Sequence, residues 1–135
     1  MTYFADASFL FAIFCEDDIF HNQSKEIVKK INLGSHKVVA SNISLSETIN
    51  LIFRLKGQLE AKKFYGYFIK TGTDVVNISK EIFQSSCKIL FNLKSKKNLN
   101  FFDCLHLATM KELGIENILT FDSDFKNFVK INEVS

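Results

Sequence analysis

The sequence predicts an α/β domain, a central and mostly parallel β-sheet flanked by helices, with a helical hairpin projecting from it. Two observations predict this. Brief, partly β-branched apolar runs alternate with longer segments whose apolar residues recur at helical spacing, and such alternation argues for a parallel sheet covered by helices on both faces. There is also no proline, and the five glycines form no tract or repeat, so nothing marks a linker and residues 1–135 read as one domain.

The first apolar run, Thr2–Ala5, is closed by Asp6, and a helix is expected from Ala7. Ile27, Val28 and Ile31 share a helical face, and Gly34 follows where a left-handed residue would stop that helix. Lys37–Ser41 (KVVAS) is the second strand. Residues 45–69 carry two helical patterns, the first through Ile49, Ile52 and Phe53, broken near Gly57 with no strand between them, and so form the hairpin. Residues 74–78 (DVVNI) are the third strand, and Ile82, Phe83, Ile89, Leu90 and Leu93 mark the next helix. Asp103 opens a helix over 102–113, Gly114 ends it, and 117–121 (NILTF) is the last strand.

Composition narrows the class. An apolar fraction of 47% excludes disorder, and a chain of this length buries roughly 68% of its unfolded surface. No run approaches the roughly 20 apolar residues of a membrane span, and the N-terminus lacks a signal-peptide pattern. A soluble, unprocessed, cytoplasmic protein is expected. Cys15, Cys87 and Cys104 are far apart among apolar neighbours, as reduced core thiols rather than zinc ligands. Seventeen Lys and Arg stand against 15 Asp and Glu, and Arg54 is the one arginine, so phosphate contacts would rest on ammonium point charges.

The acids carry the chemistry. In open α/β sheets ligands gather at the carboxyl ends of the strands. Asp6 closes the first strand, Glu47 follows the second, Asp103 opens its helix, and Asp122 and Asp124 follow the last strand. Each has a structural reading: Ser44 to Glu47 and Asn100 to Asp103 are spaced as capping boxes, and Asp6 and Asp122 can cap helical turns. The neighbourhoods are apolar, however, and a carboxylate held there needs compensation. Two carboxylates roughly 5 Å apart repel by about 3 kcal/mol at an effective dielectric of about 20. Such a cluster calls for a cation, and oxygen-only ligation suits Mg²⁺ or Mn²⁺. An ion of this kind supports in-line attack of water on a phosphodiester.

At this point the chain resembles the PIN-domain ribonucleases, and in length and layout the VapC-type toxins of prokaryotic toxin–antitoxin pairs. The resemblance spans nearly the whole chain and rests on Asp6-Ala7-Ser8, Ser46-Glu47, Phe102-Asp103-Cys104-Leu105-His106-Leu107-Ala108 and Thr120-Phe121-Asp122-Ser123-Asp124-Phe125. It implies Asp6, Glu47, Asp103 and one of Asp122 and Asp124 as metal-binding catalytic acids, with Asp122 favoured because it is nearer the strand end, and Ser8 and Thr120 as polar support. It further implies endoribonuclease activity on structured RNA such as tRNA or rRNA, a homodimer, and a small antitoxin docking across the third and fourth helices. No acid of the four-acid pattern is missing.

The remaining residues divide as follows. His106, three residues after Asp103, can hydrogen-bond a ligand or water, although a structural role is expected. Lys94, Lys96 and Lys97 lead into Asp103 and are candidate RNA contacts against a reading as a solvated loop. Of Phe53, Phe64, Tyr65, Tyr67 and Phe68 on the hairpin, about two are expected to be exposed to a partner, since aromatic residues at helical spacing are mostly core. A nuclease of RNA processing or decay, or a non-catalytic module keeping the fold, are the alternatives. A P-loop NTPase is excluded by the missing glycine-rich loop. A dehalogenase-like phosphatase needs a second Asp where Ser8 stands, and receiver domains arrange acids, threonine and lysine differently. With Asp6, Glu47, Asp103, Asp122 and Asp124 set aside in one cleft, 10 acids face 17 cations on the remaining body, a surface suited to RNA.

Overall fold

Five short strands, β1 (Thr2–Ala5), β2 (Lys37–Ser41), β3 (Asp74–Val76), β4 (Asn117–Leu119) and β5 (Lys130–Ile131), form one sheet in the order β3-β2-β1-β4-β5. All four pairings are parallel. The structure, a computed structural model, describes residues 1–94 and 99–135. Helix pairs make the crossovers: α1 (Ala7–Phe14) and α2 (His21–Leu33), then α3 (Asn42–Lys56) and α4 (Gln58–Lys70), then α5 (Lys80–Phe91) and α6 (Phe101–Leu113). A 3-10 turn, Ser123–Phe125, leads to β5.

Side chains alternate across the sheet. Tyr3, Ala5 and Leu119 face the layer of α1 to α4, against Phe9, Ile27, Ile31, Ile52 and Phe64. Phe4, Val39 and Ile118 face α6, against Leu107 and Met110. Burial on both faces explains why these strands read as continuous apolar runs.

Gly57, at φ 94°, forms the corner between α3 and α4. The hairpin returns Phe64 and Phe68 to the core, whereas Phe53, Tyr65 and Tyr67 are exposed, three of the five aromatics rather than two. All three cysteines are free. Among the described residues no helix is long and apolar enough to cross a membrane.

Several boundaries differ from expectation. β4 stops at Leu119 and not at 121 because the next N–H groups go to side chains: Thr120 N to Asn132 Oδ1, Phe121 N to Ser8 Oγ and Asp122 N to Thr120 Oγ1. β3 likewise ends at Val76, and Ile78 N donates to Asn42 Oδ1. α5 ends at Phe91, leaving Leu93 outside it, and α6 begins one residue early, at Phe101. Gly114 is left-handed at φ 67°, as expected, but Gly34 has φ −85° and Ser35 takes the left-handed position at φ 53°. A Cβ at Gly34 would lie 2.4 Å from His36 Nε2, so a side chain there would have to displace the His36 ring. α3 starts at Asn42 with Ser41 as its N-cap, so the Ser44 to Glu47 capping box does not form and Glu47 falls in the second turn.

Candidate active site

The direction of winding reverses at β1, with β2 and β3 on one side and β4 and β5 on the other. The crevice at the carboxyl ends of β1 and β4 is therefore the topological switch point. Asp6 sits there, 5% exposed, and caps α1 by accepting Phe9 N at 3.0 Å. Its Oδ1 also accepts Ser8 Oγ at 2.8 Å, and its Oδ2 accepts a short hydrogen bond from Thr120 Oγ1. Each hydroxyl that donates to Asp6 receives a loop N–H: Ser8 from Phe121 at 2.9 Å and Thr120 from Asp122 at 3.0 Å. The carboxylate thus fixes a loop more than a hundred residues distant in sequence. Burial raises the Asp6 pKa, and the three donors offset this only in part.

Asp103 lies at the N-terminus of α6 in a reciprocal capping box: its N–H donates to Asn100 Oδ1 at 2.9 Å, and its Oδ2 accepts Asn100 N at 3.1 Å. Its carboxyl is pushed up from 3.8 to about 6, chiefly by burial, with the neighbouring charges of Asp122 and Glu47 adding to the rise. Capping uses one oxygen of this acid, and its charge is still felt against those of Asp122 and Glu47. Asp122 caps the 3-10 turn through Asp124 N at 2.9 Å.

Glu47 projects from α3 toward α6, where His106 Nε2 donates to its Oε1 at 2.9 Å. His106 is 2% exposed and packs against the rings of Phe4 and Phe125. It is a buried brace between two helices. Its place three residues after Asp103 was legible, but its partner on α3 was not, because the contact joins residues 59 positions apart. Sequence reasoning also missed Asn132, at φ 53°, which clamps Thr120 twice, accepting Thr120 N at 3.0 Å and donating to Thr120 O at 2.8 Å. Nothing in a polar C-terminal stretch flags that residue.

Asp122 and Glu47 thus both act on Asp103, Asp6 is linked to the loop of Asp122 through Thr120, and Asp124 stands two residues beyond Asp122. Lys94 is exposed at the end of the described stretch, whereas Lys96 and Lys97 lie outside the described residues.

Among the described residues no Lys or Arg forms an ion pair with Asp6, Glu47, Asp103 or Asp122. No three His, Cys, Asp or Glu side chains form a finished metal cage among them either. An all-oxygen set without a Lys or Arg ion pair among the described residues, and without a cage, fits a small divalent ion that keeps waters and uses one or two carboxylates. It does not fit zinc, which takes a closed tetrahedron of nitrogen and sulfur ligands in structural sites.

Comparison with known structures places this geometry. VapC20 of Mycobacterium tuberculosis, described as a sarcin-ricin loop cleaving toxin, matches with a TM-score of 0.80 and 25% identity over 94% of each chain. VapBC2 of Rickettsia felis, solved with a promoter DNA fragment, matches at 0.71 with 12% identity over 97% of each chain. VapBC-1 of nontypeable Haemophilus influenzae matches at 0.70 with 16% identity over 97% of this chain and 96% of that one. The latter two establish likeness of fold. No curated protein sequence matches the chain. The PIN domain family model matches residues 3–131, nearly the whole length, and the chain with its acidic switch-point crevice belongs to the PIN domain family.

Proposed function

We propose that this protein is a Mg²⁺- or Mn²⁺-dependent endoribonuclease that hydrolyses phosphodiester bonds in structured RNA, and that it is the toxin of a toxin–antitoxin pair. The observation that carries the reading is the set of acids from separate chain segments at the sheet's carboxyl edge, where among the described residues no Lys or Arg pairs with Asp6, Glu47, Asp103 or Asp122 and where Asp103 is pushed up to about 6 by burial and by Asp122 and Glu47. Asp6, Glu47, Asp103 and Asp122 would hold the ion, one or two of them directly and the others through its waters, with Asp124 beside them. Bound there, the ion would supply charge neutralisation at the scissile phosphate and a more acidic attacking water.

The chain's own residues do the positioning. Ser8 and Thr120 orient Asp6 and tie the loop carrying Asp122 to it. His106 holds Glu47 toward α6, and Asn100 holds Asp103. Lys94, Lys96 and Lys97 would contact RNA phosphates near the crevice. Ribosomal RNA is the favoured substrate class, because a relative at 25% identity is described as cleaving the sarcin-ricin loop. A small antitoxin and a second copy of the chain are the proposed protein partners, with the exposed Phe53, Tyr65 and Tyr67 of the hairpin available to them. The cytoplasm is the proposed location.

The test is cleavage of a mixed RNA pool with Mg²⁺, Mn²⁺ or chelator, comparing wild type with Asp103→Asn. Metal-dependent cleavage by wild type alone is expected. Cleavage at the wild-type rate by the variant, or undiminished cleavage in chelator, would overturn the assignment.

A further inference from the structure

Beside the acids lies a column of rings. Phe121, between Thr120 and Asp122, contacts two others: buried Phe9 at 5.9 Å and 20° between planes, and Phe20 at 4.5 Å and 0°. The column starts in the core at Phe9 and ends at Phe20 on the loop before α2, where Phe121 and Phe20 are both partly exposed. Each of these two rings is tied down through its backbone. Phe121 N donates to Ser8 Oγ, the hydroxyl that donates to Asp6, and Phe20 N donates to Asp18 Oδ2 at 2.9 Å. The neighbouring His21 Nδ1 lies 2.7 Å from Ala12 O, holding the start of α2 to α1.

We infer that Phe20, backed by Phe121, is a stacking platform for an unpaired RNA base next to the scissile phosphodiester. The inference rests on the ribonuclease reading and narrows its substrate to RNA with a splayed, single-stranded nucleotide at the cleavage site. Proteins that recognise RNA sequence or loops stack unpaired bases on aromatic rings or on arginine planes. With Arg54 as its one arginine against fifteen phenylalanines, this chain has to use rings. A base laid on Phe20 would continue a stack whose orientation is already fixed relative to Asp6 and Asp122, so little ordering accompanies binding. The lysines supply attraction to phosphates without reading bases.

The sequence contains no tryptophan, so Phe20→Trp introduces a sole indole whose fluorescence reports stacking. The variant is titrated, in chelator, with a labelled RNA hairpin that has an unpaired loop, while label anisotropy follows binding independently. Saturable quenching by the loop RNA, absent with a fully paired duplex, is expected. Phe20→Leu, which keeps an apolar side chain at that position, should weaken loop binding about 10-fold or more. An abasic nucleotide at the cleavage site should weaken wild-type binding while leaving Phe20→Leu nearly unaffected. RNA binding without quenching, equal binding by wild type and Phe20→Leu, or quenching by an antitoxin peptide but not by RNA would overturn the platform. Wild-type cleavage run in parallel separates the two failures. If wild type cleaves while Phe20→Leu matches it in binding and cleavage, only the platform falls; if wild type neither binds nor cleaves RNA, the ribonuclease reading and the platform fall together.

Discussion

Replacing Asp103 by Asn should abolish cleavage yet stabilise the metal-free protein, and the size of the gain follows from the site. The carboxyl moves from its ordinary 3.8 to about 6 on folding, with burial as the main cause and Asp122 and Glu47 as like-charged neighbours. At about 1.36 kcal/mol per pKa unit this is about 3 kcal/mol against the ionised folded state, and partial solvent screening reduces it to about 1–2 kcal/mol. Because the folded pKa lies above the unfolded one, the folded state holds the proton more tightly between pH 3.8 and about 6. Wild-type stability therefore falls as pH rises through that window and is level above it. Asn carries no charge and its side-chain oxygen still accepts Asn100 N. In thermal melts with chelator, the variant should exceed wild type by about 4–8 °C at pH 7.5 and by almost nothing at pH 4. A lower melting temperature for the variant at pH 7.5 would refute the reasoning and leave the cap as the main role of this carboxylate.

Other expectations follow from the same charges. Mn²⁺ at ten times its dissociation constant should stabilise wild type by about 1.4 kcal/mol, seen as a rise in melting temperature that Asp103→Asn lacks. His106→Phe keeps a ring against Phe4 and Phe125 but removes the donor to Glu47; activity should fall about 10- to 100-fold, in kcat more than in KM, with stability changed by less than about 1 kcal/mol because water can solvate Glu47. Lys96→Ala with Lys97→Ala should flatten the salt dependence of RNA binding by about two contacts' worth in a log–log plot, and an unchanged slope would remove these lysines from the interface.

The parts of the fold legible in the sequence are those governed by local pattern. Apolar runs at β1 and β2 gave both strand boundaries correctly because these strands are buried on both faces. The break at Gly57 was legible because a residue at φ 94° calls for glycine. What escaped was set by distant partners. β4 ends early because Ser8 and Asn132 take its N–H groups. Two-residue β5 has too little sequence to show a pattern. Gly34 does follow the end of α2, but the left-handed residue there is Ser35. The acids were legible as positions at strand ends, but the network joining them, from Thr120 to Asp6 and from His106 to Glu47, exists only after folding.

That network also separates charge from hydrogen bonding at Asp6. In an Asp6→Asn variant, Oδ1 can still accept Ser8 Oγ and Phe9 N while Nδ2 donates to Thr120 Oγ1. The Thr120 proton then turns to Ser8 Oγ, 3.2 Å away. Every former partner of Asp6 stays satisfied, one Nδ2 hydrogen alone is left without an acceptor, and its cost is offset by removal of a charge whose burial raises its pKa. Thr120→Val is the opposite case: no charge changes, but Asp6 Oδ2 loses its donor and Asp122 N its acceptor. Buried groups left this way cost about 1–3 kcal/mol each. In urea melts of the metal-free protein, Thr120→Val should therefore be clearly destabilised and Asp6→Asn should not. Both should lose cleavage, one by removing a charge the ion needs and the other by releasing the loop that carries Asp122. Equal destabilisation by the two would mean that the negative charge itself holds the loop, and the excess charge would then be part of the fold's own stability rather than a cost met when a cation binds.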